Sequence, residues 1–572
     1  MATTGSLHDS YTNGHAKDVH TNGNDIAQPR ARRPENRSLS RALNGELKGS
    51  STTLSSDQPS PTIMTSNGNT PAPDDDAPPS ERATSAARRE IRQRSKQNRL
   101  FPTVDYKARV SYFDPKSDYT DFRGFFVLFW VGLAIMVVTA MLRTLKETGY
   151  LLKFEQWPLF TENLGELALV DTVMCLSTAL TLPLHLLFKR SGAQGWLRWE
   201  LAGVVVQSLF QLGWVCGWLS WPFLREWTWT AQVFFTLHTL ALFMKMHSYA
   251  FYNGHLLSTL NRLHQLDLPI GPQTPLGDAV RYPKSYYFEP HRDSLAADNT
   301  AAEAPPIRMH PIMQLREDLA LEITSPIGNV TYPTNLTPGN FLDYLLCPTL
   351  CYELEYPRTP ARNYMELFWK VLAVFGCIFL MTVTSEEFII PVLDASRARL
   401  AQTNNIVDSA LIFAETVSAL LFPFMITFLL VFLVIFEYVL GAFAEITCFA
   451  DRRFYSDWWN SLDWLEFSRE WNIPVHNFFR RHVYSASRSM KISRPLATAL
   501  TFFVSAILHE VVMGCITRKF RGYGFVLMML QIPFVAVQRL PWVRRRTLLN
   551  NVLFWVFMIM GLSLLCALYV LV

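Results

Sequence analysis

Charge is scarce in this 572-residue chain: Asp, Glu, Lys and Arg together make up 17% of it, against roughly a quarter in soluble proteins. That scarcity excludes the roughly two or three soluble domains that a chain of this length would otherwise hold. The net charge of +4 is small. Its basic residues gather beside apolar runs, a pattern that orients membrane segments rather than binding nucleic acid. Eight cysteines are present, but none stands at paired spacing, and Cys175, Cys216, Cys377, Cys448, Cys515 and Cys566 lie in apolar runs. Neither a disulfide framework nor a zinc site is expected. Met1 to about Pro102 lacks an apolar core, so no signal peptide is expected. Also missing are a Gly-x-Ser-x-Gly elbow, a Walker loop and a dinucleotide fingerprint, which disfavours a serine hydrolase, an ATP-driven pump and a Rossmann oxidoreductase. No internal repeat is evident.

What the chain has instead is hydrophobicity, at 49% of residues, concentrated in runs of about 20 residues, which cross a bilayer at 1.5 Å rise per residue. The reading is an all-α, multi-pass membrane protein with about nine spans: 122–141, 167–188, 201–223, 231–251, 365–393, 406–449, 496–516, 523–537 and 552–572. The sixth is longer than a perpendicular helix requires, so it is tilted, kinked or extends beyond the bilayer. Residues 1–105 are rich in Ser, Thr, Asn, Pro and Arg and are expected to be disordered. Asp74, Asp75 and Asp76 read there as a solvated charge run rather than a metal cluster. The basic stripe of Arg88, Arg89, Arg92, Arg94, Lys96 and Arg99 places the N-terminus in the cytoplasm.

Four spans then return a polar loop, 256–361, to the cytoplasm, so the sequons at Asn329 and Asn335, and at Asn36 in the tail, are expected to stay unglycosylated. Two further spans bring 450–495 to the same side, in agreement with Arg452, Arg453, Arg480, Arg481, Arg488, Lys491 and Arg494 around it. One conflict remains: Arg518, Lys519 and Arg521 fall on the lumenal side. Either that turn is buried in protein, or one of the spans does not cross. At the end of the fourth span, Lys245, His247 and Tyr249 read as a snorkelling lysine with interfacial aromatics, in preference to a direct site role.

Two stretches carry candidate chemistry. His509 interrupts an apolar segment, TFFVSAILHEVVMGCI, where an ionisable residue is by default functional, the bland alternative being a structural histidine bonded to a neighbouring helix. Histidine suits general-base work because its pKa lies near working pH. Ser505 lies four residues earlier on the same helical face, whereas Glu510 points elsewhere and reads as structural. HEVVM begins like a zinc-protease motif, but Met513 stands where the second histidine is required, so no metal is expected. The second stretch, FYSDWWNSLDWLEFSREWNIPVHNFFRRH, spans 454–482. Asp457, Asn460 and Asn472 could position a ligand or a helix start. Pro474 opens a short helix with His476 and Phe479. An amphipathic interfacial helix with Trp458, Leu462, Leu465 and Phe467 towards lipid and a binding surface for a ligand with a ring, phosphates and a greasy tail both fit this composition.

FYSDWWN (454–460) resembles the Phe-Tyr-x-Asp-Trp-Trp-Asn signature of the sterol and diacylglycerol acyltransferase branch of the membrane-bound O-acyltransferases. WNIPVH (471–476) and SAILHE (505–510) resemble the branch's two other marks, in order and at similar spacing. HSYAFYNG (247–254) and ELEYPRTP (353–360) are further matches, and the flanks look most like fungal sterol O-acyltransferases. The resemblance covers about 240–572 and, more weakly, the chain from 120. It implies about nine helices around an intramembrane catalytic chamber, formed by 106–572, in a dimer or tetramer of the endoplasmic reticulum. It places the catalytic histidine at His509, the supporting asparagine and second histidine at Asn472 and His476, and acyl-CoA contacts at Tyr455, Trp458, Arg469, Arg494 and Ser505, within a cytoplasmic acyl-CoA-binding loop, 450–495. Asp457 and Asn460 belong to the signature as supporting residues. Arg494 stands where animal relatives carry lysine and keeps the positive charge, while Ser456 falls on a variable position.

The implied activity is transfer of a long-chain acyl group from acyl-CoA, as co-substrate and with no cofactor, to the 3-hydroxyl of a membrane sterol. Diacylglycerol as acceptor is the near alternative. A non-enzymatic transporter with His509 in a proton relay is the distant one, disfavoured by the lack of repeats with broken helices.

Overall fold

The computed structural model describes residues 101–266 and 311–572, apart from 115, 116, 120, 122, 154, 192–194, 196 and 327. The expectations for residues 1–100, including Asn36, Asp74–Asp76 and the basic stripe, and for 267–310 of the polar loop lie outside the described residues. Where apolar runs occupy lipid, every backbone N–H and C=O must be satisfied within the segment, which leaves helices as the solution. The described residues accordingly form helices: α1 Arg123–Thr148, α2 Trp157–Ser191, α3 Trp199–Leu224, α4 Trp229–Leu266, α5 Pro311–Glu322, α6 Pro338–Leu346, α7 Tyr364–Ala401, α8 Ile406–Thr447, α9 Trp464–Glu470, α10 Ile473–Phe479, α11 Arg494–Thr517, α12 Tyr523–Gln538 and α13 Thr547–Leu571. Side-chain caps set several starts: Thr337 for α6, Asn363 for α7, Asn405 for α8 and Asp463 for α9. Among the described residues only isolated bridges stand in for strands, such as Arg109 with Asp451.

The all-α membrane class holds, while the count of nine is not confirmed. Among the described residues seven helices, α1, α2, α3, α7, α8, α11 and α13, are long and apolar enough to cross a membrane. The other two expected spans exist as helices of a different kind. α4 runs for 38 residues and carries His238, Lys245 and His247 through its length. α12 has 16 residues, roughly 24 Å of helix against about 30 Å of hydrocarbon. The long α8 is interrupted by a π-helical segment, Leu433–Val439, which contains the buried Glu437.

Two expectations at the membrane boundary resolve differently from their plain reading. Lys245 does not snorkel. Its ammonium donates to the carbonyls of Tyr344 (3.1 Å), Cys347 (2.7 Å) and Thr349 (2.8 Å), where it caps the C-terminal end of α6, the negative pole of that helix. Arg518 and Lys519, the charges that contradicted the topology, donate to the carbonyls of Trp227 (3.1 Å) and Tyr569 (3.2 Å). The turn is thus tied to protein at the start of α4 and the end of α13. Asn335 is 2% exposed and its amide nitrogen donates to Asn253 Oδ1 and the Tyr352 hydroxyl, so this sequon is spent on internal packing.

The main core is aromatic and joins α4, α6, the 350–356 segment, α8 and the 449–471 stretch through Tyr249, Tyr252, Tyr344, Tyr352, Phe432, Phe449 and Trp458. An extended arm from Phe101 lies on it, beginning within the stretch expected to be disordered. Val104 N–H donates to Glu353 (2.8 Å), and Arg109 forks onto Asp451 (2.9 and 2.6 Å). Asp451 is buried, so the bidentate geometry matters here more than at an exposed pair.

Candidate active site

The two stretches of the signature are zipped together by backbone bonds. Ser456 N–H donates to Glu470 O (2.8 Å) and Ile473 N–H to Phe454 O (3.0 Å). This places FYSDWWN beside WNIPVH, and α13 fastens the pair through Asn551, whose amide donates to the carbonyls of Trp459 and Ser461, both at 3.1 Å. Asn472 caps α10, its Oδ1 accepting from Val475 N–H (3.1 Å), as the Pro474 reading required. With Oδ1 held, the two Nδ2 protons have no partner among the described residues and remain available to a ligand. α10 continues through a π-helical turn, Arg480–Ser485, and that turn packs against α11.

His509 sits on α11 with Nδ1 2.8 Å from the Ser505 carbonyl, while Ser505 Oγ is 3.5 Å away. A carbonyl can only accept, so Nδ1 must carry the proton, and the neutral ring keeps its lone pair on Nε2. Fixing one nitrogen in this way leaves the other as the free acceptor. The residue is exposed. Glu510 serves structure, as its direction on the helix indicated: its carboxylate accepts from Gly522 N–H (2.7 Å), Phe525 N–H (3.2 Å) and the Tyr569 hydroxyl (2.8 Å), holding the N-terminus of α12.

The remaining expected residues divide by exposure. Arg469 and Arg494 are exposed, the latter as the first residue of α11, and Ser505 is half-buried. Asn460 is exposed and donates to Asp457 (3.4 Å), which also accepts from Ser456 Oγ (3.1 Å). Tyr455 and Trp458 are each 1% exposed. Tyr455 donates to Glu437 (3.0 Å), whose other oxygen meets Lys370 at 3.4 Å, and Trp458 packs against Trp471, with ring centroids 4.8 Å apart. These two rings therefore belong to the core beneath the surface, and the reading of Trp458 as a lipid-facing interfacial residue is not what the fold adopts. His476 is half-buried. Burial, then Arg469 and Arg480, push its imidazole down to about 4, so it is neutral at working pH. No hydrogen bond joins Asn472 or His476 to His509 among the described residues.

One cluster escaped the sequence reading. His482, on the π turn, meets Ser248 Oγ at 3.0 Å and stacks edge-on to His247 at 5.0 Å. Its neighbour Arg481 lies between the Phe101 and Tyr252 rings, 4.8 and 4.6 Å from their centroids, and pairs with Glu353 at 3.1 Å. A π turn offsets the side-chain period, which is why the helical spacing of RRH gave no sign of inward-facing residues.

Residues 124–571 match the membrane-bound O-acyltransferase family. A probable sterol O-acyltransferase 2 of Schizosaccharomyces pombe is 38% identical over 475 residues, covering 82% of this chain and 91% of that protein. Sterol O-acyltransferase 2 of Saccharomyces cerevisiae is 33% identical, covering 79% of this chain and 66% of that protein. Diacylglycerol O-acyltransferase 1 of Dictyostelium discoideum is 32% identical over 256 residues, 45% of this chain and 40% of that protein. With the family match spanning every described helix from α1 to α13, this chain belongs to the membrane-bound O-acyltransferases.

Proposed function

We propose that this chain is a sterol O-acyltransferase of the endoplasmic reticulum membrane, transferring a long-chain acyl group from acyl-CoA to a sterol 3-hydroxyl to give a steryl ester. The observation that carries the chemistry is the His509 tautomer: Nδ1 is committed to the Ser505 carbonyl, so Nε2 accepts the hydroxyl proton as the sterol oxygen attacks the thioester carbonyl. The Asn472 amide, oriented by its cap, donates to the developing oxyanion. Collapse expels the CoA thiolate, which takes the proton back from His509. General-base assistance contributes about 10²–10⁴-fold and an oxyanion donor about 10²–10³-fold, with no metal or covalent intermediate needed. The exposed Arg469 and Arg494 suit the phosphates of CoA on the cytoplasmic side, and the working form is a dimer or tetramer.

The choice of acceptor rests on coverage: the sterol-named relatives align over about four-fifths of this chain, the diacylglycerol-named one over less than half. The test uses microsomes from cells without steryl-ester synthesis of their own, expressing this chain and given labelled oleoyl-CoA with either acceptor. Labelled steryl ester is expected. Labelled triacylglycerol instead moves the acceptor, and no ester from either removes the enzyme reading.

A further inference from the structure

On the wall between α2 and α4, far along the sequence from the signature, three different donor types converge. Asp171 and Cys175 stand four residues apart on α2, one turn of the same face, and His238 faces them from α4. His238 Nδ1 lies 2.7 Å from Asp171 Oδ1, and Cys175 Sγ lies 4.0 Å from Asp171 Oδ2. One ligand atom from each residue falls within 4.8 Å of the other two. All three side chains are half-buried. Around them the packing is apolar: Val170, Met174, Phe235 and Leu242 form one cluster with Cys175 on its margin, and the Phe234 ring lies 5.7 Å from His238.

A plain aspartate–histidine pair takes up two of the three groups, and the thiol's contact with the same carboxylate is long, at 4.0 Å. A cysteine nucleophile is not built here, because its sulfur faces the carboxylate and not the imidazole that would have to take its proton. The thiolate, carboxylate and imidazole set is instead that of a borderline-soft divalent cation. We propose that Asp171, Cys175 and His238 hold a zinc ion that staples α2 to α4, with the fourth position left to a small ligand. The charge arithmetic favours it in an apolar wall: a divalent cation with one carboxylate, one thiolate and one neutral imidazole sums to zero, which keeps uncompensated charge out of the low-dielectric region. Ligand atoms must draw in to about 2.0–2.3 Å from the metal, starting from mutual separations within 4.8 Å. The staple is linked to the acyl transfer through α4, which packs against α11. Its test has readouts independent of activity.

The full chain, purified in detergent without chelator and desalted, is assayed for metals by elemental analysis, then exchanged with cobalt(II). The expected result is one zinc per chain and a sulfur-to-cobalt charge-transfer band in the near ultraviolet. Both are lost in Cys175→Ala and His238→Ala and kept in Cys216→Ala, a control at an exposed cysteine on α3. If the variants fail to fold, the wild-type band decides alone, since it requires a thiolate ligand. Wild-type protein without stoichiometric zinc, zinc without the cobalt–sulfur band, or zinc retained in folded Cys175→Ala and His238→Ala overturns the proposal.

Discussion

Asn472 is proposed to serve the fold and the reaction at once. Its oxygen caps α10 and its nitrogen is the donor assigned to the oxyanion. The two roles separate by substitution. Asn472→Asp keeps an acceptor for Val475 N–H, so thermal stability holds, while turnover falls by about 10²–10³ with the donor gone; Asn472→Ala loses both, with about 1 kcal/mol of stability from the cap. Turnover near wild type in Asn472→Asp would reduce the residue to a cap. A second residue-scale prediction concerns Glu470, whose carboxyl is raised to about 8 by burial, then by Glu466 and Asp457. The folded state holds a proton that the unfolded chain releases near 4.3, so this group's contribution is complete below that value and disappears as pH rises through 8. Glu470→Gln should raise the unfolding midpoint relative to wild type at pH 8 and leave it unchanged at pH 4; an equal shift at both values contradicts the assignment. The candidacy of His509 was legible in the sequence because a titratable group in an apolar run has few bland explanations. The burial of Tyr455 and Trp458 was not, since a tryptophan in a motif reads the same whether it faces a ligand, lipid or core.

At the scale of elements, the legible features were those with local causes: apolar runs, the Pro474 helix start and the length of α8. The illegible ones depend on partners remote in sequence. Lys245 was read as snorkelling because the carbonyls it caps come from residues 344–349, about a hundred positions away. α12 and α4 were read as spans by hydropathy, whereas their length and polar content set them apart from the seven. Glu510 holds α12 by its first turn, so Glu510→Ala should cost about 1–3 kcal/mol by stranding those N–H groups. Hydrogen exchange is expected to accelerate at 522–526 while α11 stays protected; unchanged exchange there removes the capping role. α4 meets α3 at Gly254, where an added Cβ would lie 1.9 Å from the Trp199 ring. Gly254→Ala is expected to destabilise by about 1–3 kcal/mol, and Trp199→Leu in the same chain to recover much of the loss. An additive double variant contradicts the contact.

For the molecule as a whole, three motifs separated in sequence are carried by one continuous body. FYSDWWN and WNIPVH are zipped by backbone bonds, the π turn after α10 packs on α11, and α11 presents His509. The order of the motifs was visible in the chain; their juxtaposition required the fold, because the π turn and the Asn551 ties have no signature of their own. The proposed base is Nε2 of His509. The most direct measurement of that role is turnover of purified His509→Ala beside wild type, with folding checked by elution profile and thermal midpoint. That role predicts a fall of about 10²–10⁴-fold or more, with both folding checks unchanged. A folded His509→Ala protein within a few-fold of wild-type turnover contradicts it.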